Sequence, residues 1–106
     1  MAKKSPTALT IDSLWADGCQ LVQKVETWNP WAKKRNDLFE CWDVLAIRDG
    51  QTIAVQTTSR SNISARVKKI AECESTAHLR KAGWILLVHG WDKHEGIFRL
   101  KVVDVS

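Results

Sequence analysis

Asp43 and Gln56 are the two side chains whose type and placement best suit chemistry. The stretch Asp37–Thr58 reads as a β-hairpin, because two apolar runs flank Asp49-Gly50, a pair that favours a tight two-residue turn. That turn sets Asp43 opposite Gln56, with Cβ atoms about 4.5–5.5 Å apart. An acid and an amide inside otherwise core-like strands need a reason, since burying polar atoms without partners is costly. Each residue has two uses that fit. Asp43 either serves a site, as metal ligand or catalytic carboxylate, or satisfies backbone or Arg donors at a sheet edge. Gln56 either shares that site or is a hydrogen-bonding hub of the core. Glu26 is a further acid for the site or a solvated strand-end charge.

The elements that must position these groups follow from the apolar pattern. Residues 1–7 read as a flexible tail, and 8–106 as one domain. Residues 8–18 suggest a short helix, capped by Thr7 or Thr10 and stopped by Gly18. Residues 19–28 suggest a first strand, broken by Asn29-Pro30, and 31–36 a basic connector. After the hairpin, Ile63, Val67 and Ile70 recur on one helical face. A further helical turn or two over 76–83 ends at Gly83. Residues 84–90 form a continuous apolar run, the pattern of a strand covered on both faces. Residues 97–105 give a last strand at an edge. The order α-β-β-β-α-β-β predicts an α/β (α+β) fold with a sheet flanked by helices.

The 106 residues suffice for one core without disulfide staples. A net charge of +4 permits an anionic partner without demanding one. Six Trp and no Tyr point first to packing and only then to base stacking. Cys19, Cys41 and Cys73 lack Cys-x-x-Cys spacing, which argues against zinc. Cys41 and Cys73 fit buried free thiols in a reducing setting, and residues 1–7 lack an apolar leader core, so a cytoplasmic location is expected. No apolar run reaches membrane-spanning length. No Ser/His/Asp order, glycine-rich phosphate loop or His-x-x-x-His motif is present. His89 sits in an apolar run as a packed core histidine, and His94 in an exposed turn.

With an acid on the second strand and a polar pair on the third, this order resembles the PD-(D/E)XK nuclease superfamily. That superfamily includes restriction endonucleases and archaeal Holliday junction resolvases, with an αβββαβ core. Trp42-Asp43-Val-Leu-Ala is similar to the segment carrying the first acid, with Trp at the proline position. Ile53-Ala-Val-Gln56-Thr57-Thr58 is similar to the segment carrying the acid or Gln, a spacer and Lys. From about residue 8 onward the chain also resembles a group of small phage and prophage proteins. Two departures stand out: Gln56 replaces the second acid and Thr58 replaces the lysine.

The resemblance implies a DNA endonuclease using Mg²⁺ or Mn²⁺. Asp43 and Glu26 would hold the metal, with Asp37 or Glu40 as further acids; Gln56 and Thr58 would complete the catalytic set. Alternation puts Asp37 on the face of Asp43 and Glu40 on the other. Arg60, Asn62, Arg66 and Lys69 would hold the DNA backbone, and Lys68 or Lys69 could stand in for the missing lysine. Duplex or branched DNA and a homodimer complete the implied picture. Two rivals remain: a catalytically inactive nuclease-fold DNA-binding or assembly module, and a protein-binding module anchored by Trp31 and Trp91.

Overall fold

The computed structural model describes residues 4–106. Along the chain come α1 (Pro6–Ala16), β1 (Leu21–Lys24), β2 (Thr27–Asn29), β3 (Lys34–Asn36), β4 (Val44–Arg48) and β5 (Gln51–Ser59). A 3₁₀ turn (Arg60–Asn62) then leads into α2 (Ile63–Glu72), α3 (Glu74–Lys81), β6 (Ile85–His94) and β7 (Ile97–Asp104).

Asp49 and Gly50 both adopt positive φ, 51° and 79°, the two-residue geometry that matches strand twist. The expected register follows, from Arg48 opposite Gln51 to Val44 opposite Val55. Five strands pair in the order β1-β4-β5-β6-β7. β5 and β6 are parallel, and the other neighbours are antiparallel. The fold is therefore α+β, with a mixed central sheet.

The sheet is covered on both faces. Leu14 of α1 packs with Val44, Ala46, Ile53 and Val55. Ile63 and Ile70 of α2 and Leu79 of α3 pack with Trp42, Ala54, Leu86 and Val88. This explains why the centre of β5 (Ile53, Ala54 and Val55) and the first half of β6 are apolar without alternation: both faces are buried. Gly90 is required where α2 begins, because a Cβ there would overlap the Ile63 side chain and come within 3.1 Å of the Arg60 backbone.

Several boundaries differ from the sequence expectation. The Ser5 hydroxyl, not Thr7 or Thr10, caps α1 by accepting from Ala8 N–H at 3.2 Å, and Pro6 takes the first helical position. Pro6 and Thr7 are thus helix rather than tail, and Thr7 and Thr10 lie on its buried face; the tail assigned to residues 1–3 falls outside the described residues. The single strand over 19–28 is two, and the basic connector supplies β3, which pairs only with β2. Residues 37–43 are not part of the hairpin strand. They form a tight turn closed by reciprocal Leu38–Trp42 backbone bonds of 2.9 and 3.0 Å, with Phe39 and Glu40 both at positive φ. Among the described residues, no helix is long and apolar enough to cross a membrane.

Candidate metal centre

Asp43 occupies a bend at the mouth of the hairpin, one residue before β4. Its N–H donates to Val55 O at 3.0 Å, and its carbonyl accepts from Val25 N–H at 2.9 Å. The ladder stops there, and the carboxylate continues it: Oδ2 accepts the Thr57 backbone N–H at 2.8 Å and the Thr57 hydroxyl at 3.3 Å. The backbone of two strands thus fixes the direction of this acid.

Glu26 lies two residues beyond β1 and is buried. Its Oε1 accepts from the Thr7 hydroxyl of α1 at 3.0 Å, and its Oε2 faces the Arg35 guanidinium of β3 at 3.4 Å. The Thr7 and Thr57 hydroxyl oxygens also lie 2.9 Å apart, so their two protons are shared among three contacts that link the supports of both acids. Asp37 arrives from the other side of the 37–43 turn. Its Oδ2 is 4.0 Å from Lys69 Nζ.

These three carboxylates each offer an oxygen within 4.8 Å of the others. Two full charges at that separation repel by roughly 3 kcal/mol at an effective dielectric near 20. Burial, with the Asp37 and Glu26 charges added, pushes the Asp43 carboxyl up to about 7, against the lowering effect of the Thr57 N–H. Asp37 Oδ1 and the Gln56 Oε1 are buried and accept no hydrogen bond. Among the described residues, one further buried side-chain atom lacks a partner, Trp42 Nε1, which is a donor and unsuited to a cation. Three crowded carboxylates, all hard oxygen donors, could hold a metal ion, and the Gln56 amide oxygen lies in the same cleft.

The acids and Gln56 line a cleft of about 580 Å³ together with Thr58, Asn62 and Arg66. The structure therefore brings together Asp43, Glu26, Gln56, Thr58, Asn62 and Arg66 as the sequence suggested. Lys69 touches Asp37 without lining the cleft, and Arg60 is exposed outside it. Glu40 points elsewhere, as alternation anticipated, although a turn rather than a strand puts it there. Lys24 and Thr7 are cleft residues that the sequence did not mark, and of the basic connector Lys33-Lys34-Arg35 only Arg35 lines the cleft. Ser5-Pro6 is the signal that would have found Thr7, since it marks a helix start one turn before the buried Thr10.

His89 is buried away from this cleft. Its Nδ1 shares a 3.1 Å hydrogen bond with the Thr10 hydroxyl, which also accepts from Trp91 Nε1 at 2.9 Å. Burial pushes the imidazole down to about 4, so it stays neutral at physiological pH, the packed core histidine expected from sequence.

Comparison with known proteins finds no family model, curated protein or solved structure that matches this chain.

Proposed function

We propose that this protein is a small metal-dependent DNA endonuclease of the PD-(D/E)XK type, with Asp43, Glu26 and Asp37 as its cation ligands. The observation that carries this reading is the convergence of two buried acids and one half-buried acid on a cleft that also holds two partnerless oxygens, Asp37 Oδ1 and Gln56 Oε1. The element order supports it. Without the β2–β3 hairpin the chain runs helix, three antiparallel strands, helices and a parallel strand, as the resemblance implies.

A divalent cation bound there would lower the pKa of an attacking water and offset phosphate charge. The protein's own groups would do the rest. Thr57 and Thr7 hold Asp43 and Glu26 in place, and Arg35 and Lys69 orient the outer oxygens of Glu26 and Asp37. Arg66 and Asn62 face the same cleft and would grip the scissile phosphate. Thr58 stands where the resemblance implies lysine and carries no charge, so Arg66, Lys24 and Arg35 are the cations left to meet the DNA in the cleft.

The missing lysine favours a second reading, a nuclease-fold module that binds DNA without cutting it. A panel of duplex, single-stranded, branched and nicked DNA with Mg²⁺ or Mn²⁺ separates the two. Cutting that disappears in Asp43→Ala supports the nuclease; binding without cutting supports the silent module. Light scattering with and without DNA tests the homodimer, and a cytoplasmic location belongs to the same reading.

A further inference from the structure

The β2–β3 hairpin belongs to neither face of the main sheet. Its two strands pair only with each other, and its tip carries Trp31, which is 94 % exposed. Trp28, on β2, is 62 % exposed. Folding does not need these two indoles in water, and exposing large aromatic area is unfavourable unless something covers it. The tip is also held in shape. Asn29 Oδ1 accepts from the backbone N–H groups of Trp31 and Ala32 at 3.0 and 3.2 Å, Pro30 restricts the turn, and Lys33 closes it at φ 50°.

Charge indicates what covers it. Residues 27–36 contain Lys33, Lys34 and Arg35 and no carboxylate. Trp28 is registered opposite Arg35, so their side chains share one face of the hairpin. Arg35 reaches Glu26 in the acidic cleft, which makes that face continuous with the candidate metal centre.

We propose that the hairpin is a base-stacking wedge: Trp31, backed by Trp28, takes an unpaired nucleobase while Lys33 and Lys34 contact its phosphates. This rests on the DNA reading above and narrows it to substrates with unpaired bases beside the cut. A paired duplex offers no free base face in its interior, whereas flaps, bulges, branch points and single strands do. Interleaved aromatic and basic residues are the combination that binds such strands without reading sequence.

The test is binding alone, by fluorescence anisotropy in EDTA at low salt. It uses a fully paired duplex and the same duplex interrupted by an unpaired thymidine tract. The wild-type chain prefers the interrupted DNA. Trp31→Ala weakens binding to it about tenfold or more and leaves the paired duplex unchanged, while Trp31→Phe retains most of the preference. Lys33→Gln with Lys34→Gln weakens both DNAs and flattens the salt dependence by about two contacts. Equal wild-type affinity for the two DNAs overturns the wedge. So does wild-type DNA binding by Trp31→Ala, which would leave the hairpin as an anchor for a protein partner. Because no cleavage is read, a protein that shows the stacking preference but cuts nothing refutes the nuclease and keeps the wedge.

Discussion

Helix α1 supports two buried polar clusters through hydroxyls one turn apart, and they behave oppositely. Thr10 closes a complete network: its hydroxyl bonds His89 Nδ1 and accepts from Trp91 Nε1. Thr7 supports an incomplete one, where Glu26, Asp37 and Asp43 crowd together and the Gln56 Oε1 accepts nothing. The first cluster is what a buried histidine needs in order to be structural. The second holds charge and lone pairs that the protein itself does not satisfy. Burial of polar residues is common to both, so burial alone says little about function; the absence of partners is the discriminating observation.

The largest effect expected from breaking this contrast is at Asp43. Asp43→Ala should lower Mn²⁺-dependent cleavage at least about 100-fold, beyond what loss of a supporting partner costs a metal site. If the acids bind Mn²⁺, the ion should raise the wild-type melting temperature, by about 2.7 kcal/mol of stability at a hundredfold excess over Kd, and Asp43→Ala should abolish that rise. The matching change in the other cluster, His89→Gln, should leave the Mn²⁺ response intact.

The two clusters should also titrate in opposite senses. Asp43 has its folded pKa raised to about 7 from 3.8, so its contribution is fully present below about pH 4 and is lost as pH rises toward 7. His89 has its folded pKa lowered to about 4 from 6.5, so its contribution is present above about 6.5 and is lost as pH falls toward 4. In metal-free wild type the two slopes oppose each other between about pH 4 and 6.5. In Asp43→Asn only the histidine slope remains, and stability measured by urea unfolding should rise with pH there by a few kcal/mol. A flat profile in that variant would refute the contrast.

Next comes a pair of isosteric substitutions. Thr10→Val strands His89 Nδ1 and Trp91 Nε1 and should cost about 1–3 kcal/mol. Gln56→Met removes an oxygen that has no partner and should leave metal-free stability within about 1 kcal/mol of wild type or slightly above it. The same change should weaken Mn²⁺ affinity about tenfold, read by calorimetry.

How much of this was legible in the sequence follows from which signals are local. Asp49-Gly50 fixes the hairpin register by turn chemistry, and that places Asp43 and Gln56 at the same mouth. Ile63 and Ile70 announce α2 by spacing, and with it Asn62 and Arg66, which line the cleft. Strand alternation puts Asp37 on the face of Asp43, but a turn rather than a strand brings it there, and that turn is not legible locally. It depends on Phe39 and Glu40 both holding positive φ, a conformation neither residue type advertises. The β2–β3 hairpin hid for a different reason: its strands are three residues each and exposed, so they carry no alternation to read.

The smallest expected effect separates cations by position rather than by number. Arg66 lines the cleft beside Asn62, whereas Arg60, only six residues earlier, is exposed outside it, where its charge contributes to the field at Asp92 near the β6–β7 turn. Composition treats the two as equivalent. If the cleft binds phosphate, Arg66→Ala should weaken DNA binding several-fold and reduce the salt slope by about one contact, while Arg60→Ala should do neither. Equal losses would mean that the DNA lies across the whole basic surface, with the acidic cleft as a bystander. Loss at Arg66 alone would tie the anion-binding residue to the cleft that holds the unsatisfied oxygens, which is the arrangement phosphoryl chemistry needs.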